Sequence, residues 1–366
     1  MNEKINFKTT DLDFHKAVNL RVEEYFKSNN IDKKANGFMY FKTLFFLSSV
    51  LVPYLLLLFG NFPLWINNLL WVALGLASVF TCVNVGHDAI HGGYSSKKWV
   101  NKLMSFSFNL LGANAYMWSI THNVVHHTYT NIEGHDEDIE SVPFARLTPH
   151  QKWKPIQKYQ HIWLFLLYPL GTLSWVFKKD FVKFFQPKIG HINNTNHPKI
   201  EYFNLFFFKF LYYFLFIVLP IISIDMPWYV VFGGFILSHL VEGFAIAIIF
   251  MLAHVVEEAN FPIPNEAGNM ENNWAAHQMY TSVNFGTKSF LTSFLTGGLN
   301  FQIEHHLFPK VCHVHYPKIA GIVKSTAKEF GLPYYESPTF FEALKSHVRL
   351  LKKLGNNIIP QPVQAK

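Results

Sequence analysis

Two long stretches of this sequence, residues 43–96 and 210–287, contain no lysine or arginine. Each stretch frames two apolar runs joined by a tight turn. In the first, Met39 to Gly60 is apolar, with Pro53 inside it. Asn61-Phe62-Pro63 turns the chain, and Leu64 to Gly86 is apolar again. In the second, Phe203 to Ile224 is followed by Asp225-Met226-Pro227 and then by Trp228 to Val256, the longest run. A helix rises about 1.5 Å per residue, so runs of this length cover the ~30 Å hydrocarbon layer of a bilayer. Hydrocarbon offers no partner for a free backbone amide, so such runs must fold as helices, and an internal proline is tolerated in them. The expectation is an all-α membrane protein with four transmembrane helices in two hairpins.

Composition agrees. The chain is 50% hydrophobic and 17% aromatic with 38 Phe, and only 15% of its residues are charged, against roughly 25% in soluble domains. All 31 Lys and Arg lie outside the two stretches. Positive charge marks cytoplasmic loops, which puts both termini on the cytoplasmic side of a multi-pass protein. The net charge of +7 suits anionic headgroups or a phosphorylated acyl carrier, and equally the ordinary basic bias of such loops. Nothing suggests nucleic acid as a partner. Two cysteines, Cys82 and Cys312, give neither a disulfide framework nor a thiolate metal pattern. Residues 1–37 are polar and mixed in charge, unlike a cleavable signal peptide.

The remaining segments are arranged around the spans. Residues 1–37 read as a cytoplasmic N-terminal arm, where Val22, Tyr25 and Phe26 suggest a short amphipathic helix on the membrane surface. Residues 100–120 read as a helix at the interface. Residues 162–177 are apolar but short, with Pro169 and Gly171 in the middle, and read as interfacial or re-entrant. Residues 38–330 form one membrane-embedded domain, and 331–366 a cytoplasmic C-terminal tail.

Three short runs hold seven of the 19 histidines: His87-Asp-Ala-Ile-His91, His122-Asn-Val-Val-His126-His127 and Gln302-Ile-Glu-His305-His306. Residues four apart share a helix face, and neutral imidazole is the commonest metal ligand near pH 7. Adjacent histidines diverge by about 100° on a helix. One ion cannot easily use both members of such a pair, whereas two ions side by side can. The doublets therefore predict a dimetal site in a cytoplasmic helical cap, with the three runs folded together.

These three runs resemble the histidine boxes of the membrane fatty-acid desaturase and hydroxylase superfamily, of the forms HxxxH, HxxHH and (H/Q)xxHH. Box order and the two spans between the second and third boxes also match. The resemblance covers about residues 38–330. Gln302 in the third box, with Leu307-Phe308-Pro309 after it, is similar to front-end desaturases of the delta-5 and delta-6 type. These place a double bond between an existing one and the carboxyl end. The chain shows no His-Pro-Gly-Gly turn of a fused b-type cytochrome. The resemblance implies two non-haem irons, O2 as co-substrate, a fatty acyl substrate carried on coenzyme A or lipid, and an external electron donor such as ferredoxin or a b-type cytochrome with its reductase. It implies as metal ligands His87, His91, His122, His126, His127, Gln302, His305 and His306. Asn273-Trp-Ala-Ala-His277 matches a further family pattern, which adds His277 as a ligand and Asn273 as a water-mediated one.

Around these, Asp88, Asp136, Asp138 and Glu304 are candidates to orient ligand imidazoles, and His254 lies near enough to join them. Tyr116 and Trp118 are candidate walls of an acyl tunnel. His239 and Glu242 read as a bonded pair within the last span, and His313 and His315 as surface residues near the entrance. The leading function is an O2-dependent fatty acyl desaturase. The alternatives are a related diiron lipid hydroxylase or ketolase, and a metal transporter. A transporter would place its ligands near the bilayer midplane rather than at one set of membrane exits.

Overall fold

The computed structural model describes residues 5–9, 13–140, 142, 144–190 and 192–359. Helix α1 (Asp13–Ser28) precedes α2 (Gly37–Phe59), whose first turn is capped by the Asn36 side chain accepting from Met39 N at 3.0 Å. Helix α3 (Leu64–Ile90) returns beside α2. Its residues 82–86 form a wider π turn just before His87. Helices α4 (Lys98–Leu110) and α5 (115–129) follow, the latter π-wound over Ser119–His126. Local π geometry is frequent where side chains must be re-aimed at a site.

Next come α6 (Gln160–Leu167), a one-turn break at Tyr168–Leu170, and α7 (171–185). A two-residue hairpin, β1 (Lys188–Ile189) with β2 (Ile192–Asn193), leads to α8 (Lys199–Ser223) and α9 (Trp228–His254). The remainder is α10 (Trp274–Thr281), β3 (Asn284–Phe285), α11 (Phe290–Leu295), α12 (Gln302–Leu307), α13 (Tyr316–Glu329), β4 (Glu336–Ser337) and α14 (Phe340–Gly355). Strands β3 and β4 pair in parallel, Asn284 with Glu336 and Phe285 with Ser337.

Helices α2, α3, α8 and α9 are long and apolar enough to cross a membrane. Helix α3 is the inner one: 67% of its most apolar window is buried, against 28% for α2 and 22% for α8. Small residues let it approach α9. A side chain at Gly75 would meet Ser238 O at 2.3 Å, and one at Gly234 would meet the Trp71 indole at 2.1 Å. Both hairpin turns, at Gly60–Pro63 and Asp225–Pro227, lie at the ends of the spans opposite the histidine runs.

The segment 160–185 enters the bundle and comes back. Gln160 Nε2 donates to Leu351 O of α14 at 3.0 Å. Thr172 Oγ1 then donates to His239 O at 2.9 Å, and a side chain at Gly243 would meet Pro169 O at 2.3 Å. The break therefore rests against the middle of α9, about 17 Å along the axis from His254. Helix α7 then returns, and Asn194 Nδ2 ties its end by donating to Lys183 O and Gln186 O.

Helix α1 corrects the expectation of a membrane-surface helix. Its Phe14, Val18, Val22 and Phe26 are buried in a core shared with Ile303, Leu307, Ile319 and Val323, and Arg21 clasps Glu329 with two hydrogen bonds at 2.8 and 2.7 Å. The apolar stripe is real, but its partner is protein. Helix α14 likewise buries Leu350, Leu351 and Leu354 against Leu164 and Leu252. Inside the bundle His239 joins three groups. Its Nε2 lies 2.7 Å from Tyr212 Oη, and its Nδ1 lies 3.1 Å from Thr172 Oγ1 and 3.4 Å from Glu242 Oε2.

Candidate metal centre

The end of α3 carries His87, with His91 just after it, α5 carries His122, His126 and His127, the end of α9 carries His254, and α12 carries Gln302, His305 and His306. All nine are buried. They form two adjoining groups. Nitrogens of His87, His91, His122 and His305 lie within 4.8 Å of one another, as do those of His126, His254 and His306. His127 belongs beside the first group, with Nε2 3.2 Å from His122 Nε2 and 3.0 Å from His305 Nε2. Its ring also stacks on His306 at 4.3 Å, which places the two groups side by side. The adjacent doublets part as their angular offset requires: His127 and His305 face one group, His126 and His306 the other.

Several of these buried polar atoms have no hydrogen-bond partner among the described residues. His87 Nδ1 and Nε2, His91 Nε2, His126 Nε2, His127 Nδ1 and Gln302 Oε1 make no hydrogen bond among the described residues. A buried polar atom without a partner costs free energy, and imidazole lone pairs facing each other at 3.0–3.2 Å repel unless a cation or proton lies between them. Burial holds His91, His122, His127, His305 and His306 well below the usual imidazole range, and neighbouring histidines add to this. They are neutral at pH 7, the form that ligates a metal. The donor set fits a pair of divalent transition ions.

The outward nitrogens are held in place. His126 Nδ1 donates to Asp136 at 3.0 Å. Burial pulls this imidazole down, but Asp136 outweighs it and the pKa is raised. His254 Nδ1 donates to Thr281 O at 3.1 Å, His306 Nδ1 to Gln278 Oε1 at 2.7 Å, and His305 Nδ1 lies 3.3 Å from Tyr316 Oη. The three acceptor oxygens fix the tautomers of His126, His254 and His306 and aim their Nε2 inward, while the Tyr316 hydroxyl, which can donate or accept, holds the His305 ring in place. Gln302 Nε2 lies 2.8 Å from His254 Nε2 and 3.2 Å from His306 Nε2. Rotating the amide by half a turn presents its oxygen to the same point.

Several expectations meet a different placement. His277 is in neither group: its Nε2 donates to Thr130 O at 2.8 Å, bracing the loop after α5. Asn273 caps α10, its Oδ1 accepting from Ala276 N at 3.0 Å. Glu304 orients no imidazole. Its carboxylate accepts from Asn284 at 2.8 Å and Tyr334 at 3.0 Å, because one residue along α12 turns it away from the His305 face. Asp88 lies 4.0 Å from His87 Nδ1 and instead accepts from His313, at 3.1 Å from its backbone N and 2.8 Å from its Nδ1. Asp138 Oδ2 lies 3.6 Å from His126 Nδ1.

His313 and His315 are buried, not surface residues. Lys42 Nζ donates to His313 Nε2 at 2.7 Å, so a neutral imidazole bridges Lys42 to Asp88, and His315 Nε2 donates to Lys34 O at 2.9 Å. Tyr116 and Trp118 point to different places, as residues two apart on a helix must. Tyr116 Oη lies 3.0 Å from His197 Nδ1, whereas Trp118 stacks on His122 at 4.0 Å. Sequence reasoning placed His254 only in the surroundings and missed Gln278, Tyr316 and Thr281. Only the position of Gln278 beside His277 could have signalled one of them.

A cavity of about 180 Å³ lies between α5, α7 and α9, with Trp118 and His122 in its wall. The rest of its lining runs from Asp138, Lys179 and Lys183 to Gly171, Gly243 and Ile246. Tyr116 lines a separate cavity with Glu201 and Asn204.

The sequence model of the family described as "Fatty acid desaturase" matches residues 63–338. Over 354 residues the chain is 38% identical to "Acyl-lipid (8-3)-desaturase" of Physcomitrium patens, covering 94% of this chain and 72% of that protein. It is 35% identical to "sn-1 linoleoyl-lipid 6-desaturase" of Arthrospira platensis, covering 94% and 93%. It is 32% identical to the protein of the same name from Synechocystis, covering 96% and 98%.

Proposed function

Because the chain belongs to the fatty acid desaturase family, we propose that it is a front-end enzyme. It takes a lipid-linked chain that already carries a double bond and adds a cis double bond nearer the carboxyl end. The observation that carries this reading is the pair of adjoining buried imidazole groups with unpartnered nitrogens beside a cavity. The relatives named for acyl-lipid and linoleoyl-lipid substrates support the lipid carrier and the existing double bond.

Two non-haem irons would be held by His87, His91, His122, His127 and His305 on one side and by His126, His254 and His306, with Gln302, on the other. Bound iron and O2 supply the oxidising power to take hydrogen from unactivated methylene carbons, which no side chain achieves by acid–base chemistry. The balance is fixed: two hydrogens from the chain and two protons with two electrons from an external donor reduce O2 to two waters. The protein's part is positional. Asp136, Gln278 and Thr281 hold their imidazoles in one tautomer, Tyr316 holds the His305 ring, and the buried setting excludes bulk water. His277 braces the loop at Thr130 and does not ligate.

The test is expression in a host lacking polyunsaturated fatty acids, with fed chains and mass-spectrometric location of new double bonds. The expected product carries a new bond at the fifth or sixth carbon of a chain already unsaturated. Efficient insertion into saturated stearoyl chains and none into dienoic chains would defeat the front-end reading. A hydroxylated product would point to the hydroxylase branch.

A further inference from the structure

Lys42 lies in the second turn of α2 and is 1% exposed. A lysine so near the end of a span can run its stem outward and leave its charge in the headgroup layer. This one turns inward. Its Nζ sits 5.0 Å from the centre of the Phe294 ring, 5.9 Å from that of Phe38 and 6.0 Å from that of Phe46. Among the described residues its hydrogen bond is the one to His313 Nε2 at 2.7 Å. A cation buried inside a span is costly, and it marks a functional role more often than a packing one.

The contacts beyond it have a fixed direction. An ammonium only donates, so His313 Nε2 must accept and the ring carries its proton on Nδ1. Nδ1 donates to Asp88 Oδ2 at 2.8 Å, and the His313 backbone N donates to the same oxygen at 3.1 Å. Gly298 closes over this ring, since a side chain there would strike His313 Cβ at 2.8 Å. The Cys312 thiol adds a weak hydrogen bond to the Asp88 carboxylate. With Oδ2 held by two N–H groups, Oδ1 is the oxygen that faces His87, 4.0 Å from its Nδ1. That Nδ1 has no hydrogen-bond partner among the described residues, and a shift of about 1 Å would close the gap to a hydrogen bond. A proton on Nδ1 leaves His87 Nε2 with its lone pair for the group it shares with His91, His122 and His305.

We propose that Lys42 is a positioning residue for the metal centre: through His313 and Asp88 it fixes the tautomer of His87, and with it the lone pair offered to the first metal ion. This rests on the two-iron reading and goes beyond it. Charge alone predicts the opposite sign. A nearby cation repels a divalent ion, so a lysine acting only as a charge would, once removed, let iron bind more tightly. A lysine acting through the chain of donors would, once removed, loosen it, because outer partners of a metal-bound histidine are worth about 10–100-fold in affinity.

The test uses the full-length protein in detergent, freed of metal, loaded with ferrous iron without O2 and titrated with a ferrous chelator at about pH 8, where a free imidazole is neutral. Wild type should hold two irons. Lys42→Met should hold one of them about tenfold or more weakly and the other unchanged. Asp88→Asn should do the same, because an amide that accepts from His313 turns its NH2 toward His87. The double variant should be no weaker than Asp88→Asn alone, since both residues lie on one path. Tighter binding in Lys42→Met, unchanged binding with a lower melting temperature of the metal-free protein, or additive losses in the double variant would each overturn the proposal. If Lys42→Met does not fold, Asp88→Asn and His313→Leu decide: a loss confined to one iron in both supports it, and two irons held as in wild type overturn it. Wild-type protein that takes up no iron would defeat the metal reading itself, and the proposal with it.

Discussion

His254 and His277 show two ways in which a buried histidine serves this site. His254 turns Nε2 toward His126, His306 and Gln302, while His277 spends Nε2 on the Thr130 carbonyl. His254→Ala should lower bound iron from about two to about one per chain, because a three-imidazole group loses a donor. His277→Ala should keep both irons and melt earlier, because it leaves a buried carbonyl unpaired. Elemental analysis of purified protein separates the two, and full iron in His254→Ala would remove it from the ligand set. Glu304 carries a pH dependence of its own. Burial pushes its carboxyl up to about 7 from an ordinary 4.5. The folded state thus holds a proton that the unfolded state releases, so this stabilisation is complete below about 4.5 and lost as pH rises through about 7. A shift of this size corresponds to roughly 3 kcal/mol. Glu304→Gln should flatten the fall in melting temperature between about pH 5 and pH 8. An equally steep fall in the variant would place the titration elsewhere.

At the scale of elements, the close approach of α3 to α9 and of the re-entrant break to α9 positions the ends that carry His87 and His254. Gly75→Leu and Gly243→Leu each force a side chain into a backbone carbonyl at 2.3 Å. Each should cost about 1–3 kcal/mol or more, seen as lower yield of monodisperse protein in detergent, while Gly233→Leu, into open space, should behave as wild type. These contacts were not legible in the sequence. Helix length and polarity could be read because they follow from local periodicity. Whether a glycine faces backbone or open space depends on a partner helix far along the chain. The same limit misled the reading of α1, whose apolar residues Val22, Tyr25 and Phe26 were visible but whose partner, α13, lies some three hundred residues away.

At the scale of the whole molecule, the proposed reaction takes two electrons per turnover from a separate donor. Protein purified with iron, O2 and acyl substrate alone should give no product, and adding a reduced donor protein should start turnover. Product formation without any donor would reject this. The charge distribution makes a second claim: reporter fusions after Gly60 and after Asp225 should report the outside, and fusions at Lys199 and the C-terminus the inside. The sequence by itself determined four apolar helices, because hydrocarbon forbids an unpaired backbone. It also determined a cluster of imidazoles too dense for ordinary packing and, through its box order, the family. Only the tertiary structure decided how those imidazoles divide into two groups, that His254 joins them and His277 does not, and that Trp118 rather than Tyr116 meets the cavity. The physical reason is that a ligand is defined by where its lone pair points. That direction is set by the hydrogen bond on the other ring nitrogen, made to Asp136, Gln278 or Thr281, residues that no spacing rule connects to the histidines they hold.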